Sequence, residues 1–369
     1  MPKPILFVLS ILVLHAVSCA SPEERNDSLP PTRYVSMGTP VSELDDAIPL
    51  IYQDTRGHHW FGSGRGVVFH YDGHHLTRIT EKDGLLNAGV LAIQEDADGH
   101  IYFDTQDGVQ VFNGEQIRTL PLVEDDPAHP NEWALNPGDL WFRGRWDQNG
   151  PYRWDGDSLY HLTFPDHPAL DTIAPSALNS SFSVYGIYST YTDQDGRIWF
   201  GTSNLGAMVY DGRSLSYVAD PGIIHLGDGP ALGVRSIAQD REGHFLFSTI
   251  RNRFSVPTDL PAGLLIEGTD FEKMAGPEGF GRFHQDRFEE FMSAVTDPRT
   301  GDLWIATYDE GVWHYNGREL THYPVRNGDQ EVNLFSIYMD RDGDLWVGTL
   351  QQGVYRFDGE SFYRFRGPG

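Results

Sequence analysis

The sequence has 369 residues and a formal net charge of −26, from 53 acidic and 27 basic side chains. This negative charge argues against nucleic acid and anionic lipid headgroups as binding partners. The only cysteine is Cys19, which excludes an internal disulfide and a zinc site built from several thiolates. The acidic side chains are spread along the chain, as is typical of a solvated surface, and binding of divalent cations is the alternative interpretation.

The first 19 residues are predicted to be a secretion signal. Lys3 precedes an apolar run, Ile5 to Val17, that is too short to span a bilayer as a mature helix. The run ends in Ala-Val-Ser-Cys19, which resembles the bacterial lipoprotein box, in which small residues precede a cysteine that is lipidated and becomes the new N-terminus. The resemblance implies a bilayer tether through acylated Cys19, and Ala20 after it favours the outer membrane. A stray thiol in an ordinary signal peptide is the alternative.

Residues 20–33 are predicted to be a flexible spacer, because they are polar, contain proline and show no hydrophobic period. Residues 34–369 are predicted to form a single domain. From about Ile48 onwards this domain repeats one pattern seven times.

The clearest copy of the repeat runs from Leu334 to Phe365. Its four apolar runs are separated by an Asp-x-x-Gly turn ending at Gly343, a short loop before Gly353 and the hairpin signal Asp358-Gly359. These signals predict four antiparallel strands, A to D. Further copies lie around residues 54–73, 96–114, 138–156, 193–212, 240–268 and 301–317.

Two copies depart from the pattern. In the third copy, around residues 138–156, the first strand is shortened, and Trp133 is expected to lie in it. In the fifth copy, around residues 240–268, no clean turn separates strands C and D, and Glu267-Gly268 is the candidate for that turn.

Such repeats must stack, since one four-stranded sheet with apolar residues on both faces cannot bury them alone. Four-stranded units at a spacing of about 40 to 50 residues are the signature of a β-propeller. The fold is therefore predicted as all-β, a seven-bladed β-propeller of four-stranded antiparallel blades, and the chain is expected to be a monomer.

The pattern of Asp-x-x-Gly, apolar-Trp-apolar-Gly-Thr and Gly-apolar-x-x-aromatic-Asp resembles the two-component-regulator propeller repeat. The resemblance covers roughly residues 48–365. It implies an extracytoplasmic propeller that senses a ligand, in a family whose propellers are typically parts of membrane-spanning receptors. Because no kinase sequence and no second apolar segment accompany the repeats, a free-standing propeller is expected.

The alternation of strands places the loops from B to C and from D to A on one face, called the top face from here on. The repeated turns lie on the opposite face. The top loops all differ, and the long ones, at residues 120–132, 163–183 and 276–288, favour a ligand site there. The candidate binding residues are those of the B to C loops: Arg65, Asp107, Arg145, Trp146, Asn204, Arg251, Arg253, Asp309 and Gln351.

Trp146 is the one tryptophan outside the repeat pattern, and it lies beside Arg145. A flat aromatic ring next to guanidinium groups suits stacking on a sugar or aromatic ring with contact to a carboxylate. The predicted ligand is therefore a glycan or a small anionic metabolite. Packing of Trp146 beneath a long loop is the structural alternative.

No catalytic residue and no cofactor is predicted. The sequence lacks Gly-x-Ser-x-Gly, His-Glu-x-x-His and a P-loop. The Asp-x-Asp-Gly turns are interpreted as turn formers rather than calcium loops. Two other functions remain open. One is an enzyme resembling the streptogramin lyases, with an acid/base group drawn from Arg282, His284, Glu289 and Glu290. The other is a protein-interaction scaffold without a small ligand.

Overall fold

The computed structural model describes residues 37–123, 131–166, 183–219, 233–248 and 291–367, and the strands at 253–255, 265–267 and 272–274. Residues 34–369 form one compact unit. The predicted signal and spacer, with Cys19, lie outside the described residues, and so does most of each long top loop. No helix in the described part of the chain is long and apolar enough to cross a membrane.

The turns that open each repeat explain why the strands start and stop where they do. In the last repeat, Asp340 Oδ1 accepts the backbone N–H groups of Asp342 and Asp344, at 3.1 and 2.8 Å. Its Oδ2 accepts the indole N–H of Trp346 at 2.8 Å, and Gly343 supplies a φ of +86°. Asp54 and Asp193 bond their own tryptophans in the same way. The aspartates are turn formers, as predicted.

Seven sheets follow one another along the chain. Blade 1 contains β2 (Leu50–Gln53), β3 (His59–Gly62), β4 (Val68–Tyr71) and β5 (Leu76–Ile79), with β1 (Thr39–Val41) added antiparallel to β5. Blade 2 contains β6 (Val90–Glu95), β7 (Ile101–Thr105), β8 (Gly108–Phe112) and β9 (Ile117–Thr119). Blade 3 contains β11 (Leu140–Phe142), β12 (Tyr152–Trp154) and β13 (Leu159–His161), with β10 (Leu122–Val123) parallel to β13.

The later blades repeat this order. Blade 4 contains β14 (Ile187–Thr192), β15 (Ile198–Thr202), β16 (Ala207–Tyr210) and β17 (Leu215–Ala219), with β21 (Leu265–Glu267) parallel to β17. Blade 5 contains β18 (Ile237–Gln239), β19 (Phe245–Phe247), β20 (Arg253–Ser255) and β22 (Glu272–Met274). Blade 6 contains β23 (Phe291–Thr296), β24 (Leu303–Thr307), β25 (Val312–Tyr315) and β26 (Leu320–Tyr323). Blade 7 contains β29 (Leu334–Met339), β30 (Leu345–Thr349), β31 (Val354–Phe357) and β32 (Phe362–Phe365).

Two small elements complete the described structure. The hairpin of β27 (Arg326–Asn327) and β28 (Gln330–Glu331) links blades 6 and 7. A single 3-10 turn, Glu81–Asp83, follows blade 1 and is capped by Thr80.

Six sheets contain the predicted antiparallel meander of four strands, and blade 3 does not. Blade 3 has three antiparallel strands and a parallel edge strand, so it departs from the predicted blade of four antiparallel strands. Trp133 lies in no strand, because only Trp-Ala-Leu separates polar residues from Pro137 there. Its ring instead packs on Trp141 and Phe164, with centroids 5.9 and 5.6 Å away.

The interpretation of Glu267-Gly268 as the C to D turn of blade 5 is also wrong. Glu267 ends β21, which pairs with blade 4, and residues 256–271 together connect β20 to β22. The apolar pair Leu265 and Ile266 makes this segment a strand partner rather than a turn.

Seven hydrophobic clusters lie between consecutive blades and hold the sheets in a closed ring. The tryptophans of the second strands are central to them, and Trp60, Trp199 and Trp346 are almost fully buried, as predicted. Blade 7 meets blade 1 through such a cluster and through the Thr349 N–H, which donates to the Ile48 carbonyl at 3.0 Å. Every contact that closes the ring lies within residues 37–367, so a chain beginning at Ser21 contains all of them.

Candidate ligand site in the central channel

A cavity of about 820 Å³ occupies the centre of the ring. The innermost strands line it, together with top-face residues such as Gly64, Gln106 and Leu350. Its size is in the range of sites that take small molecules. The channel is therefore the candidate functional site.

A β-bulge near the start of the innermost strand places one residue of each of four blades at the channel wall. In blade 4, Ile187 pairs with Thr202 and Ser189 pairs with Gly201, so Tyr188 has no partner on β15. The same shift in strand register, with one unpaired residue, occurs in blades 2, 6 and 7. The bulge residues all line the cavity, and they are Leu91, Tyr188, Met292 and Phe335. Pro49 of blade 1 and Arg235 of blade 5 hold the corresponding positions and also line it.

In blade 3 the side chain of Arg143 fills the gap that the missing innermost strand leaves. Its Nη1 donates to the carbonyl oxygen of Tyr188 at 2.7 Å, and its Nη2 donates to the carbonyl oxygen of Leu91. These carbonyls belong to the bulges of the two neighbouring blades. One guanidinium thus joins blade 2 to blade 4 across the gap.

The inner edge of β11 has no neighbouring strand among the described residues. Two side chains of blade 2 instead form hydrogen bonds with the backbone groups at this edge. Gln94 Nε2 donates to the Trp141 carbonyl at 2.8 Å, and the Arg143 N–H donates to Asp104 Oδ2 at 2.9 Å. Without these contacts, backbone groups at a buried sheet edge would be left unpaired.

Asp104 fits only because the next blade lacks its inner strand. Blades 4 and 7 have Gly201 and Gly348 at this position, where an added Cβ would meet a carbonyl of the next blade at 2.2 and 2.6 Å. Burial raises the pKa of Asp104 to about 6, although the neighbouring Arg143 opposes the shift. The carboxylate is 1% exposed, and its Oδ1 has no hydrogen-bond partner among the described residues.

The described lining of the cavity carries two cationic side chains although the protein is strongly acidic. Arg143 and Arg235 are the charged side chains among its described lining residues, and no carboxylate belongs to that lining. The guanidinium of Arg235 lies over the Tyr188 ring, with Cζ 4.8 Å from the centroid. Within the described residues no ion pair neutralises Arg235. The channel can therefore attract and hold an anion.

The residues predicted from the top loops occupy different places. Trp146 lines the cavity and is half-buried. The side chains that are exposed and do not line the cavity are Arg65, Asp107, Asp309 and Gln351. Arg145 is exposed and forms two hydrogen bonds with Asp147, at 3.1 and 3.0 Å. Asn204 is 9% exposed and accepts a hydrogen bond from Ser203 Oγ at 3.0 Å.

Other predicted residues cannot be placed. Arg253 lies in β20, whose backbone alone is described. Those outside the described residues are Arg251, Arg282, His284, Glu289 and Glu290.

The sequence reasoning missed Arg143 as a bridge and Arg235 and Tyr188 as channel residues. The sequence did contain a signal for Tyr188 and Arg235. Each stands directly before a serine at the same position of its repeat, as do Met292 and Phe335. Comparison of the first strands of the repeats would have placed these four residues together.

Two groups on the opposite face have the residue types of a metal site. They are Asp96, Asp98 and His100, and Asp240, Glu242 and His244. Asp96 Oδ1 already accepts the N–H groups of Asp98 and His100, and its Oδ2 accepts the hydroxyl of Tyr102 at 2.9 Å. These contacts are those of a turn.

The family model for the two component regulator propeller matches residues 181–204 and 328–351. The chain carries the two-component-regulator propeller repeat. The matched segments hold the two inner strands of blades 4 and 7, with their bulge residues Tyr188 and Phe335. No curated protein matches the sequence significantly.

Solved structures similar to this repeat propeller include the extracellular domain of BT4673 from B. thetaiotaomicron. It is 18% identical with a TM-score of 0.56, and the match covers 87% of this chain and 39% of that one. Virginiamycin B lyase from Staphylococcus aureus is 12% identical with a TM-score of 0.59, over 86% of this chain and 97% of the lyase. PorZ, a surface component of the type-IX secretion system of Porphyromonas gingivalis, is 16% identical with a TM-score of 0.58, over 89% and 48%. At these identities the similarity shows the fold alone.

Proposed function

We propose that this repeat propeller is a sensor of the cell envelope that binds a small anionic molecule in its central channel. The observation that carries the proposal is the charge of the cavity, where two arginines and no carboxylate are found among the described lining residues. The whole sequence has a formal net charge of −26. A cationic cavity in so acidic a protein is expected where an anion must be bound rather than repelled.

The site favours binding through guanidinium groups. Arg235 presents a planar donor group that suits a carboxylate, and the low dielectric of the channel strengthens the attraction. Tyr188 supplies a flat surface beside Arg235, and Trp146 lines the same cavity. An acidic sugar and a small organic acid both satisfy these requirements.

The two other functions receive less support from the described part of the channel. Histidine, aspartate and glutamate are the most frequent groups in acid/base catalysis, and none of them is among the described lining residues. A protein-interaction scaffold would not require a cationic channel. If no small anion binds, an enzyme or a protein-interaction scaffold becomes the better-supported function.

The first experiment is a thermal-shift screen of the chain from Ser21 onwards against uronic acids, organic acids, amino acids, oligosaccharides and divalent cations. A ligand at 100 times its Kd adds about 2.7 kcal/mol to the free energy of unfolding. We expect an anion to stabilise the protein, and Arg235→Gln to weaken its binding by about tenfold to a hundredfold, since a charge-assisted hydrogen bond is lost.

The matched control for this screen is Arg213→Gln, an exposed arginine in the turn between β16 and β17. Arg213→Gln should leave the thermal shift produced by the ligand unchanged. A screen without any stabilising anion, or one in which both variants bind equally well, would contradict the proposal.

We also propose that acylated Cys19 tethers the propeller to the bacterial envelope, with the outer membrane as the expected membrane. The support is the sequence Ala-Val-Ser-Cys19 after the apolar run. In a bacterial host fed labelled palmitate, the full chain should incorporate the label and sediment with membranes, whereas Cys19→Ala should do neither. Equal labelling of the full chain and of Cys19→Ala, or no labelling of either, would contradict the proposed lipid tether.

A further inference from the structure

We infer that the anion bound in the channel is an amphipathic carboxylate, with an aliphatic or aromatic body, rather than a sugar acid. This inference rests on the proposed function and names its ligand class. The carboxylate would bind Arg235, and the body would cross the channel.

Apolar side chains surround Arg235 on the channel wall. The order of the blades places Tyr188 and Met292 on either side of Arg235, in blades 4 and 6. Across the ring lie blades 1 and 2, which contribute Pro49 and Leu91 at the same level. A ligand held at Arg235 therefore has an apolar surface opposite its charged end.

Four of the eight hydroxyl groups in the described lining form hydrogen bonds, most of them between blades. Ser189 Oγ donates to the Val234 carbonyl at 2.8 Å, and Ser236 Oγ accepts the Ala294 N–H at 3.0 Å. Thr296 Oγ1 donates to the Gln239 carbonyl. A sugar acid carries several hydroxyls that each need a partner, and leaving them unpaired in a cavity is unfavourable. The lining has some free hydroxyls, such as that of Ser336, but apolar side chains such as Pro49, Leu91, Met292 and Phe335 outnumber them, which favours a ligand with an apolar body.

Arg143 is a weaker anchor than Arg235. Its two terminal nitrogens already donate to the Tyr188 and Leu91 carbonyls. The guanidinium of Arg235 forms no hydrogen bond or ion pair within the described residues. As far as the described residues extend, this guanidinium is available for a carboxylate.

The test is calorimetry on the chain from Ser21 onwards with hexanoate, octanoate and decanoate, against galacturonate, gluconate and octanamide. Each added methylene should lower Kd by roughly fourfold, because its burial is favourable by about 0.8 kcal/mol. Octanamide should bind about tenfold or more weakly than octanoate, and Arg235→Gln should abolish this difference.

Leu91→Trp is the second variant, since its larger side chain would narrow the channel opposite Arg235. It should weaken octanoate binding and leave the melting temperature nearly unchanged. Binding of galacturonate or gluconate at Arg235, with no response to chain length, would overturn the inference and leave the proposed function standing. Failure of every anion to bind, or octanoate binding that Leu91→Trp does not affect, would overturn both.

Discussion

Arg143→Ala should lower the free energy of unfolding by about 3 to 5 kcal/mol, because two hydrogen bonds from a charged donor are lost and each contributes about 1.5 to 3 kcal/mol. The substitution removes both guanidinium bonds that join blades 2 and 4 and leaves the Leu91 and Tyr188 carbonyls without a donor. It also leaves the buried Asp104 without the nearby positive charge that favours its ionised form. Denaturant unfolding of the chain from Ser21 onwards measures the loss.

Arg145→Ala is the matched control for this prediction. Arg145 lies two residues further on, is exposed and pairs with Asp147, and such surface pairs contribute about 0 to 1 kcal/mol. Arg143→Lys should be intermediate, since one ammonium cannot reach both carbonyls with the geometry of a guanidinium. A cost for Arg143→Ala no larger than that for Arg145→Ala would show that the ring does not depend on this bridge.

Asp104→Asn should change how stability depends on pH. The carboxyl has a pKa of about 6 in the folded protein, against an ordinary value of 3.8 for an aspartate. The folded state therefore holds this proton more tightly than the unfolded state does, so the stability contributed by the group is lost as pH rises from about 4 to about 6. The loss is at most roughly 3 kcal/mol, because one pKa unit corresponds to about 1.4 kcal/mol.

Asparagine cannot ionise but keeps an oxygen for the Arg143 N–H. The free energy of unfolding of Asp104→Asn, minus that of the parent chain, should be near zero at pH 4 and should rise by about 2 to 3 kcal/mol by pH 7.5. Asp107→Asn, an exposed substitution in the same blade, should show no such change. If the difference in the free energy of unfolding stays constant from pH 4 to pH 7.5, burial does not raise the pKa of Asp104.

The sequence was sufficient to predict the repeats and their turns because the signals are local. The contacts of Asp340 with Asp342, Asp344 and Trp346 all lie within one turn and the strand after it. These local turn signals predict the four-stranded meander correctly in six blades. The prediction failed for blade 3 because side chains of blade 2, together with Arg143 of blade 3 itself, supply the contacts that the missing strand would have supplied.

The channel was harder to predict because a bulge decides which residue faces it. Tyr188 and Phe335 fall between paired residues of their strands, and strand alternation alone does not reveal that shift. Trp146 was found because it breaks the repeat. Arg65 and Gln351 were placed at the channel by loop topology, and they are exposed outside the described lining of the cavity.

The most direct test of the central claim is protection of a single thiol placed in the channel. The chain from Ser21 onwards contains no cysteine, since Cys19 is the only one in the sequence. Ser293→Cys places a thiol on the channel wall, and Ser361→Cys places one on an exposed turn of blade 7. Alkylation rates are measured with octanoate and with galacturonate as probes. The account predicts that at least one anion slows alkylation at position 293 and leaves the rate at position 361 unchanged, whereas equal rates at position 293 with and without either anion would contradict it.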